Sequence, residues 1–166
     1  MRSSTSCLKI IFVLFLLGLV PIYAQESESL KTDLGAQNFD YNWKFSLGDH
    51  PKAVPKDFDD SSWKNLVLPH DWSVSLPIKN ENPSAGAGGF FENGFGWYRK
   101  EFMVPETLNG KKLSIHFGGV YMNSEVFING RSLGVHPYGY TPFSYDLTPF
   151  LKYGENNIIA VKVDNS

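Results

Sequence analysis

The sequence contains almost no cysteine, since Cys7 is the only one among 166 residues. This absence excludes a disulfide framework and a cysteine-ligated zinc site. Cys7 precedes the apolar run at residues 10–20, whereas a lipoprotein anchor needs its cysteine just after such a run, so lipidation is excluded as well. The hydrophobic core alone must therefore stabilise the fold.

A large excess of charge of either sign is also absent. Lys and Arg number 15 and Asp and Glu number 17, which gives a formal net charge of −2. Proteins that bind nucleic acid usually have a basic surface, so the charge balance predicts no nucleic-acid partner. Hydrophobic residues make up 42% of the chain, which is more than a disordered chain contains. The composition predicts a globular domain.

Only one long apolar segment is present, at residues 10–20. It follows Arg2 and Lys9 and precedes the small residue Ala24, an order that is typical of a secretory signal peptide. As a helix this run would cover about half of a ~30 Å hydrocarbon core, so a transmembrane anchor is the weaker alternative. We expect a signal peptide at residues 1–24, export to the periplasm or the medium of a bacterium, and no membrane association after cleavage.

Helical periodicity is missing from the rest of the chain. Residues 25–38 are polar and predict a flexible leader. From residue 39 onwards, short alternating segments are separated by turn residues, and Asn129-Gly130 between two of them predicts a β-hairpin. The pattern predicts an all-β sandwich or jelly roll over residues 39–166. The predicted strands are 43–47, 65–68, 98–104, 113–117, 125–128, 132–135, 143–147 and 157–163.

The motifs of several large enzyme classes are absent too. The chain has no nucleophile elbow and no phosphate-binding loop. Asp59 and Asp60 are adjacent carboxylates, but their Ser- and Lys-rich surroundings favour a surface turn over an acid/base pair. The four histidines lack the spacing of metal ligands. We therefore expect no metal, no cofactor and no catalytic residue within this chain.

Aromatic and polar residues instead cluster in the predicted loops. This mixture is typical of sugar sites, where aromatic faces pack on sugar C–H groups and amides or carboxylates bind hydroxyls. The alternative, that the rings close the ends of the sandwich, is equally compatible with the sequence. The members are Trp72, Phe90, Phe91, Phe95, Trp97, Tyr138 and Tyr140, with His70, Asp71, Asn82, Glu92 and Asn93.

Six short motifs occur in a fixed order along the chain. The whole set resembles the N-terminal sugar-binding domain of family 2 glycoside hydrolases, the β-galactosidase and β-glucuronidase group, in an exported Bacteroides-like form. The resemblance covers residues 38–166, nearly the whole chain after the predicted signal peptide. The motifs are LPHDW at 68–72, GWYRKEF at 96–102, VFING at 126–130, FSYDLT at 143–148, GENN at 154–157 and VKVDNS at 161–166.

The resemblance implies a galactose-binding-like jelly roll that precedes an immunoglobulin-like sandwich and a (β/α)8 barrel with two catalytic Glu residues. It also implies that an Asn just before the Gly-x-Tyr strand contacts the sugar, a position that Asn93 occupies; the usual Pro after it is Gly94 here. His70, Asp71 and Trp97 are weaker candidates for the same pocket. A second sugar-contacting Asp and a further strand would follow Ser166, so the resemblance implies a jelly roll that is incomplete at Ser166.

Three functions remain open on the sequence. In the first, the chain is the N-terminal domain of an exported, retaining glycosidase and is inactive by itself. Its partners are then a β-galactoside or related β-glycoside and the downstream domains of the same protein. In the second, it is a free-standing carbohydrate-binding module without catalysis. In the third, it is a structural adhesion or scaffold sandwich. The reading frame beyond Ser166 and the affinity for sugars distinguish the three.

Overall fold

The alternating segments of the sequence form eight β-strands in the computed structural model, which describes residues 35–82 and 84–166. Within these residues the only helical segments are single 3-10 turns. The predicted signal peptide and most of the predicted leader lie outside the described residues. The strands are β1 (Trp43–Leu47), β2 (Lys64–Leu66), β3 (Phe95–Met103), β4 (Ser114–Phe117), β5 (Ser124–Ile128), β6 (Arg131–His136), β7 (Phe143–Asp146) and β8 (Asn156–Asp164).

Six of the strands form one antiparallel sheet in the order β2-β1-β3-β8-β5-β6, and β4 pairs with β7 in a second, two-stranded sheet. The long strands β3 and β8 pair over their full length at the centre of the large sheet, with Tyr98 opposite Val161. Strands so close in space but so far apart in sequence require the whole chain to fold together. The predicted all-β sandwich is confirmed.

The main core lies between the two sheets. Alternation along the central strands turns every second side chain of β1, β3, β5 and β8 towards β4 and β7, as the period of a strand requires. This face is almost entirely apolar, which is why the strands read as alternating in the sequence. Its buried residues include Trp43, Phe45, Tyr98, Val126, Ile128, Ile159, Val161 and Val163, which meet Ile115 and Leu147 from the other side.

A second, smaller core covers the opposite face of the large sheet. Trp97 and Ala160 project from β3 and β8 and pack against Ala53 and Trp63. Both covering residues belong to the loop between β1 and β2. Ala53 and Trp63 are buried although this loop has almost no regular structure.

A buried ion pair attaches this loop to the sheet. The Arg99 guanidinium is 1% exposed, and its Nε donates to Asp60 Oδ2 at 2.8 Å. Its Nη1 donates to the carbonyl oxygens of Ala53 and Pro55, and Lys44 Nζ donates to the other Asp60 oxygen at 2.6 Å. Asp60 is thus a structural anion, and the surface turn predicted for Asp59 and Asp60 is wrong for Asp60, which is half-buried and paired with two cations.

The charge on Asp60 makes the stability of this loop dependent on pH. Burial raises the pKa of Asp60, but the hydrogen bonds from Lys44 and Arg99 outweigh it and hold the pKa below its ordinary value of 3.8. A carboxyl with a lowered pKa stabilises the fold above its ordinary pKa, and this stabilisation is lost as the pH falls further.

We expect Asp60→Asn to flatten the dependence of the free energy of unfolding on pH below about pH 4. Urea denaturation at several pH values between 2.5 and 6 measures it. Asp57→Asn is the matched control, because Asp57 is an exposed carboxylate in the same loop. Equal slopes for the Asp60 variant and the parent would contradict a charged, paired Asp60.

The hairpin predicted at Asn129-Gly130 is confirmed. Asn129 and Gly130 have φ values of 48° and 87°, and the turn joins β5 to β6. The Asn129 side chain also has a role that the sequence did not reveal. Its amide nitrogen donates to Asn157 Oδ1 at 2.7 Å, and its oxygen accepts from the Ile158 N–H at 2.9 Å. The turn is thereby joined to the start of β8.

Two predicted segments differ from the structure. The expected buried strand at residues 65–68 is a short, largely exposed strand, because β2 is an edge strand with a neighbour on one side only. The strand expected from Tyr98 begins at Phe95 instead. Gly94 and Gly96 flank this first residue, and because neither has a side chain the alternation is not visible there in the sequence.

Candidate functional site

An open cavity of about 960 Å³ lies between the large sheet, β4 and three loops. Side chains of the main core form its inner wall, including Trp43, Tyr98 and Val161. Its rim is formed by the loops at residues 68–73, 84–93 and 118–122 and is rich in polar groups. An apolar interior with a few polar groups is the usual composition of a small-molecule site. The cavity is therefore the candidate site of this domain.

Three of the four predicted site residues line this cavity: Asn93, His70 and Asp71. The fourth, Trp97, does not. It is 1% exposed on the opposite face of the sheet, where its Nε1–H donates to Asp49 Oδ1 at 3.0 Å and its ring stacks on Phe127. The strand alternation accounts for this, because Tyr98 and Trp97 are neighbours on β3 and must point to opposite faces.

Asn93 lies in the segment that leads into β3, and its position is fixed by its neighbour. The Gly94 N–H donates to Asn165 Oδ1 at 2.8 Å, and the Asn165 N–H donates to the Gly94 carbonyl at 3.1 Å. Gly94 has a φ of 141°, which only glycine adopts readily. The reciprocal pair joins the start of β3 to the residue after β8.

The side-chain oxygen of Asn93 is buried and has no hydrogen-bond donor among the described residues. A buried acceptor without a donor is unusual in a native protein, because its loss of hydration is not compensated. A hydroxyl group of a ligand in the cavity would supply that donor. Asn93 Oδ1 is therefore suited to bind a hydroxyl group of a ligand, and Trp72 Nε1, which also lines the cavity and is also buried without a partner, is the only other such atom among the described lining residues.

His70 and Asp71 belong to the loop at residues 68–73, which also forms part of the rim. Asp71 Oδ1 accepts hydrogen bonds from the Ser73 backbone N–H at 2.8 Å and from the Ser73 hydroxyl. His70 Nδ1 is 3.0 Å from the Tyr98 hydroxyl. Burial lowers the pKa of His70, and the positive charge of Lys64 lowers it further, against the opposing effect of Asp71. His70 is therefore neutral at pH 7, and the loop acts as a fixed wall.

The glycine-rich wall at residues 84–91 is stabilised by side-chain hydrogen bonds to its backbone. Asn82 is buried, and its Nδ2 donates to the carbonyl of Phe90 at 2.8 Å. The Ser84 hydroxyl donates to the carbonyl of Phe91 at 2.6 Å. Asn82, which the sequence grouped with the sugar-site candidates, thus has a structural role and does not line the cavity.

The sequence analysis missed Tyr121, the aromatic residue of the rim loop at residues 118–122. It lies in the loop between β4 and β5 and lines the cavity together with Tyr140. The signal available in the sequence was Gly118-Gly119, which ends β4 and leaves a short loop with an aromatic residue. Because no alternation continues through that loop, nothing in the pattern indicated which way the ring would point.

No group of three His, Cys, Asp or Glu side chains within residues 35–82 and 84–166 is placed to hold a metal ion. No helix among the same residues is long and apolar enough to cross a membrane.

Comparison with known proteins gives relatives of one kind. The chain is 52% identical over 143 residues to the beta-galactosidase BoGH2A of Bacteroides ovatus, a match that covers 86% of this chain and 17% of that protein. It is 39% identical over 131 residues to a beta-glucuronidase of Formosa agariphila, covering 77% and 13%. The chain therefore spans less than a fifth of the length of these relatives.

Solved structures agree with the sequence relatives. The crystal structure of a beta-glycosidase from Bacteroides vulgatus matches with a TM-score of 0.75 and 50% identity over 78% of this chain and 17% of that one. The family model described as "Glycosyl hydrolases family 2, sugar binding domain" matches residues 36–165. These residues include all eight strands and the whole rim of the cavity except Ser166. The chain thus belongs to glycosyl hydrolase family 2, of which it contains the sugar-binding domain.

Proposed function

We propose that this chain is the N-terminal part of a longer, exported bacterial glycoside hydrolase that acts on β-galactosides, in which it supplies one wall of the sugar pocket. The relatives support this, because they are full glycosidases of which the chain matches 17% or less. The basic–apolar–small order of residues 1–24 supports export. The two catalytic Glu residues that the resemblance implies would belong to a (β/α)8 barrel, which is not part of this domain.

The observation on which the proposal depends most is the unpaired oxygen of Asn93. It is buried at the edge of a large open cavity, and the Gly94–Asn165 pair holds its backbone in place. A sugar hydroxyl that donates to this oxygen would be oriented by it, while the ring packs on the apolar side of the cavity. In this role Asn93 binds substrate and takes no part in proton transfer.

The charges around the cavity favour a neutral sugar over an acidic one. The acidic and histidine side chains that line it are Asp40, His70, Asp71, Glu92 and His116, and none of the described lining residues is Lys or Arg. On this wall of the pocket, a glucuronic acid carboxylate would be repelled by three acidic groups and would meet no Lys or Arg among the described lining residues. A galactoside has no such charge, and it is therefore the substrate we propose.

We expect Asn93→Ala in the full-length protein to lower kcat/KM for a β-galactoside about 2- to 13-fold, the effect of losing one hydrogen bond of roughly 0.5–1.5 kcal/mol. Steady-state kinetics with an aryl β-galactoside measures it. Asn109→Ala is the matched control, because Asn109 is exposed and contacts only Glu106 through its side chain. Unchanged kinetics in a folded Asn93 variant would show that Asn93 only shapes its turn.

A further inference from the structure

Two tyrosines on the cavity rim expose most of their aromatic surface. Tyr121 is 51% exposed and Tyr140 is 87% exposed, although both contact each other with ring centroids 5.3 Å apart and ring planes tilted by 54°. An aromatic pair that is ordered but not buried gains little from folding, and such surfaces are typical of binding sites. Both rings border the same cavity that contains Asn93.

The loops that present these tyrosines are fixed by contacts that only glycine allows. A Cβ atom on Gly139 would lie 2.2 Å from Tyr121 Cδ2, so the Tyr121 ring rests directly on the backbone at Gly139. A Cβ atom on Gly119 would lie 3.0 Å from the Gly139 carbonyl oxygen. The loops at residues 118–122 and 137–141 are therefore packed backbone to backbone. The Tyr121 ring is held in place before any ligand binds, which lowers the entropic cost of binding.

The size and chemistry of the cavity indicate what the tyrosines bind. Its volume of about 960 Å³ is at the top of the ~300–1,000 Å³ range of ligand pockets, which leaves room for more than one sugar ring. Hydroxyl-binding groups, including Asn93, Glu92 and Asp71, lie on the same rim as the tyrosines. Aromatic faces beside such groups match the two faces of a pyranose, whose C–H side is apolar and whose hydroxyls are polar.

We propose that Tyr121 and Tyr140 form a platform for a second sugar unit of an oligosaccharide, next to the unit that Asn93 contacts. This inference rests on the proposed function and makes it more specific: the substrate is a glycan chain, and this domain binds the sugar unit next to the one that Asn93 contacts. The contact is the same in the ground state and in the transition state, so it contributes to KM and leaves kcat unchanged.

The test compares a one-unit substrate with a longer one in the full-length protein. β-Galactosyl fluoride has no second ring, and β-linked galactotriose has two more. We expect Tyr140→Ala and Tyr121→Ala each to raise KM for galactotriose about 2- to 13-fold, the range for one aromatic contact. Both variants should leave kcat, and all kinetics with the fluoride, at the parent values. Tyr140→Phe should behave like the parent, because stacking uses the ring and not the hydroxyl.

Tyr138→Ala is the matched control for these variants. Tyr138 is 68% exposed on the same loop as Tyr140, but it does not line the cavity and its ring faces His136. It should therefore have no effect on either substrate. A Tyr138 variant as defective as the Tyr140 variant would overturn the platform.

The remaining outcomes also decide the proposal. Equal losses on the fluoride and on galactotriose would overturn it, because the tyrosines would then affect the reacting sugar or the fold. An unchanged KM for galactotriose combined with a lower melting temperature would overturn it in favour of a contact with another domain. If the fluoride is not hydrolysed at all, the proposed function fails. Calorimetric binding of galactotriose to the parent and to Tyr140→Ala then decides the platform independently. A weaker affinity of the variant would support the platform, and equal or absent binding would overturn it.

Discussion

Replacing Arg99 with methionine is expected to lower the free energy of unfolding of this domain by about 3–5 kcal/mol, the effect of removing one partner of a buried ion pair. Methionine fills much of the same volume but leaves Asp60 with Lys44 as its only cation. It also leaves the carbonyls of Ala53 and Pro55 without the donor that Arg99 provides. Urea denaturation followed by tryptophan fluorescence measures the loss.

Two further variants identify the cause of this loss. Lys112→Met removes a surface cation whose side chain is 81% exposed and 3.9 Å from Asp146, and we expect it to change stability by no more than about 1 kcal/mol. Adding Asp60→Leu to Arg99→Met removes the carboxylate that has lost one of its two cations and should restore part of the stability, because an apolar pair avoids the cost of an incompletely paired charge. An Arg99 variant as mild as the Lys112 variant would show that the loop between β1 and β2 does not depend on this pair.

The parts of the fold that follow from local chemistry could be predicted from the sequence. β1 was predicted with its observed bounds because Trp43 and Phe45 alternate with Lys44 and Ser46. The hairpin at Asn129-Gly130 was predicted because both turn positions need a positive φ. In each case the deciding interactions lie within a few residues of one another, so a single sequence contains the whole signal.

The parts that depend on distant contacts could not be predicted. Trp97 was placed in a loop beside the sugar site, yet it is buried under Trp63, which is far away in the chain. Nothing in the immediate sequence distinguishes an aromatic residue that plugs a core from one that lines a pocket. The burial of Asp60 escaped prediction for the same reason, since its partner Arg99 is 39 residues further on.

The candidate site was predictable in one respect and unpredictable in another. Asn93 was selected through the resemblance to a family, and its chemistry alone would not have separated it from the other loop asparagines. Tyr121 was missed, because its position depends on the contact between Gly119 and Gly139, two glycines of different loops. Site residues on loops are positioned by such backbone contacts, for which sequence periodicity provides no signal.

Gly96 provides a direct link between the fold and the site. It lies on β3 under the Trp72 ring, and a Cβ atom there would be 2.7 Å from Trp72 Cζ3 and 3.0 Å from Phe45 Cε2. Both rings are buried in the main core, and Trp72 also lines the cavity. This close approach explains why a glycine interrupts an otherwise apolar strand face, and it predicts that the position cannot accept even one additional methyl group.

We expect Gly96→Ala to lower the free energy of unfolding by about 1–3 kcal/mol, the usual effect of overpacking a core, and to weaken sugar binding, because Trp72 must move into the cavity. Urea denaturation measures the first effect and the KM of the full-length protein the second. The matched control is Gly118→Ala, which also lies on the cavity but whose added Cβ would meet no atom within 4 Å.

A further variant tests the cause of the destabilisation. Trp72→Phe destabilises the parent by leaving a void, but in the Gly96→Ala background it relieves the clash. The two changes should therefore be less harmful together than the sum of their separate effects, with a coupling of about 0.5–3 kcal/mol. Strict additivity would show that Gly96 is not packed against Trp72 in the way the structure describes.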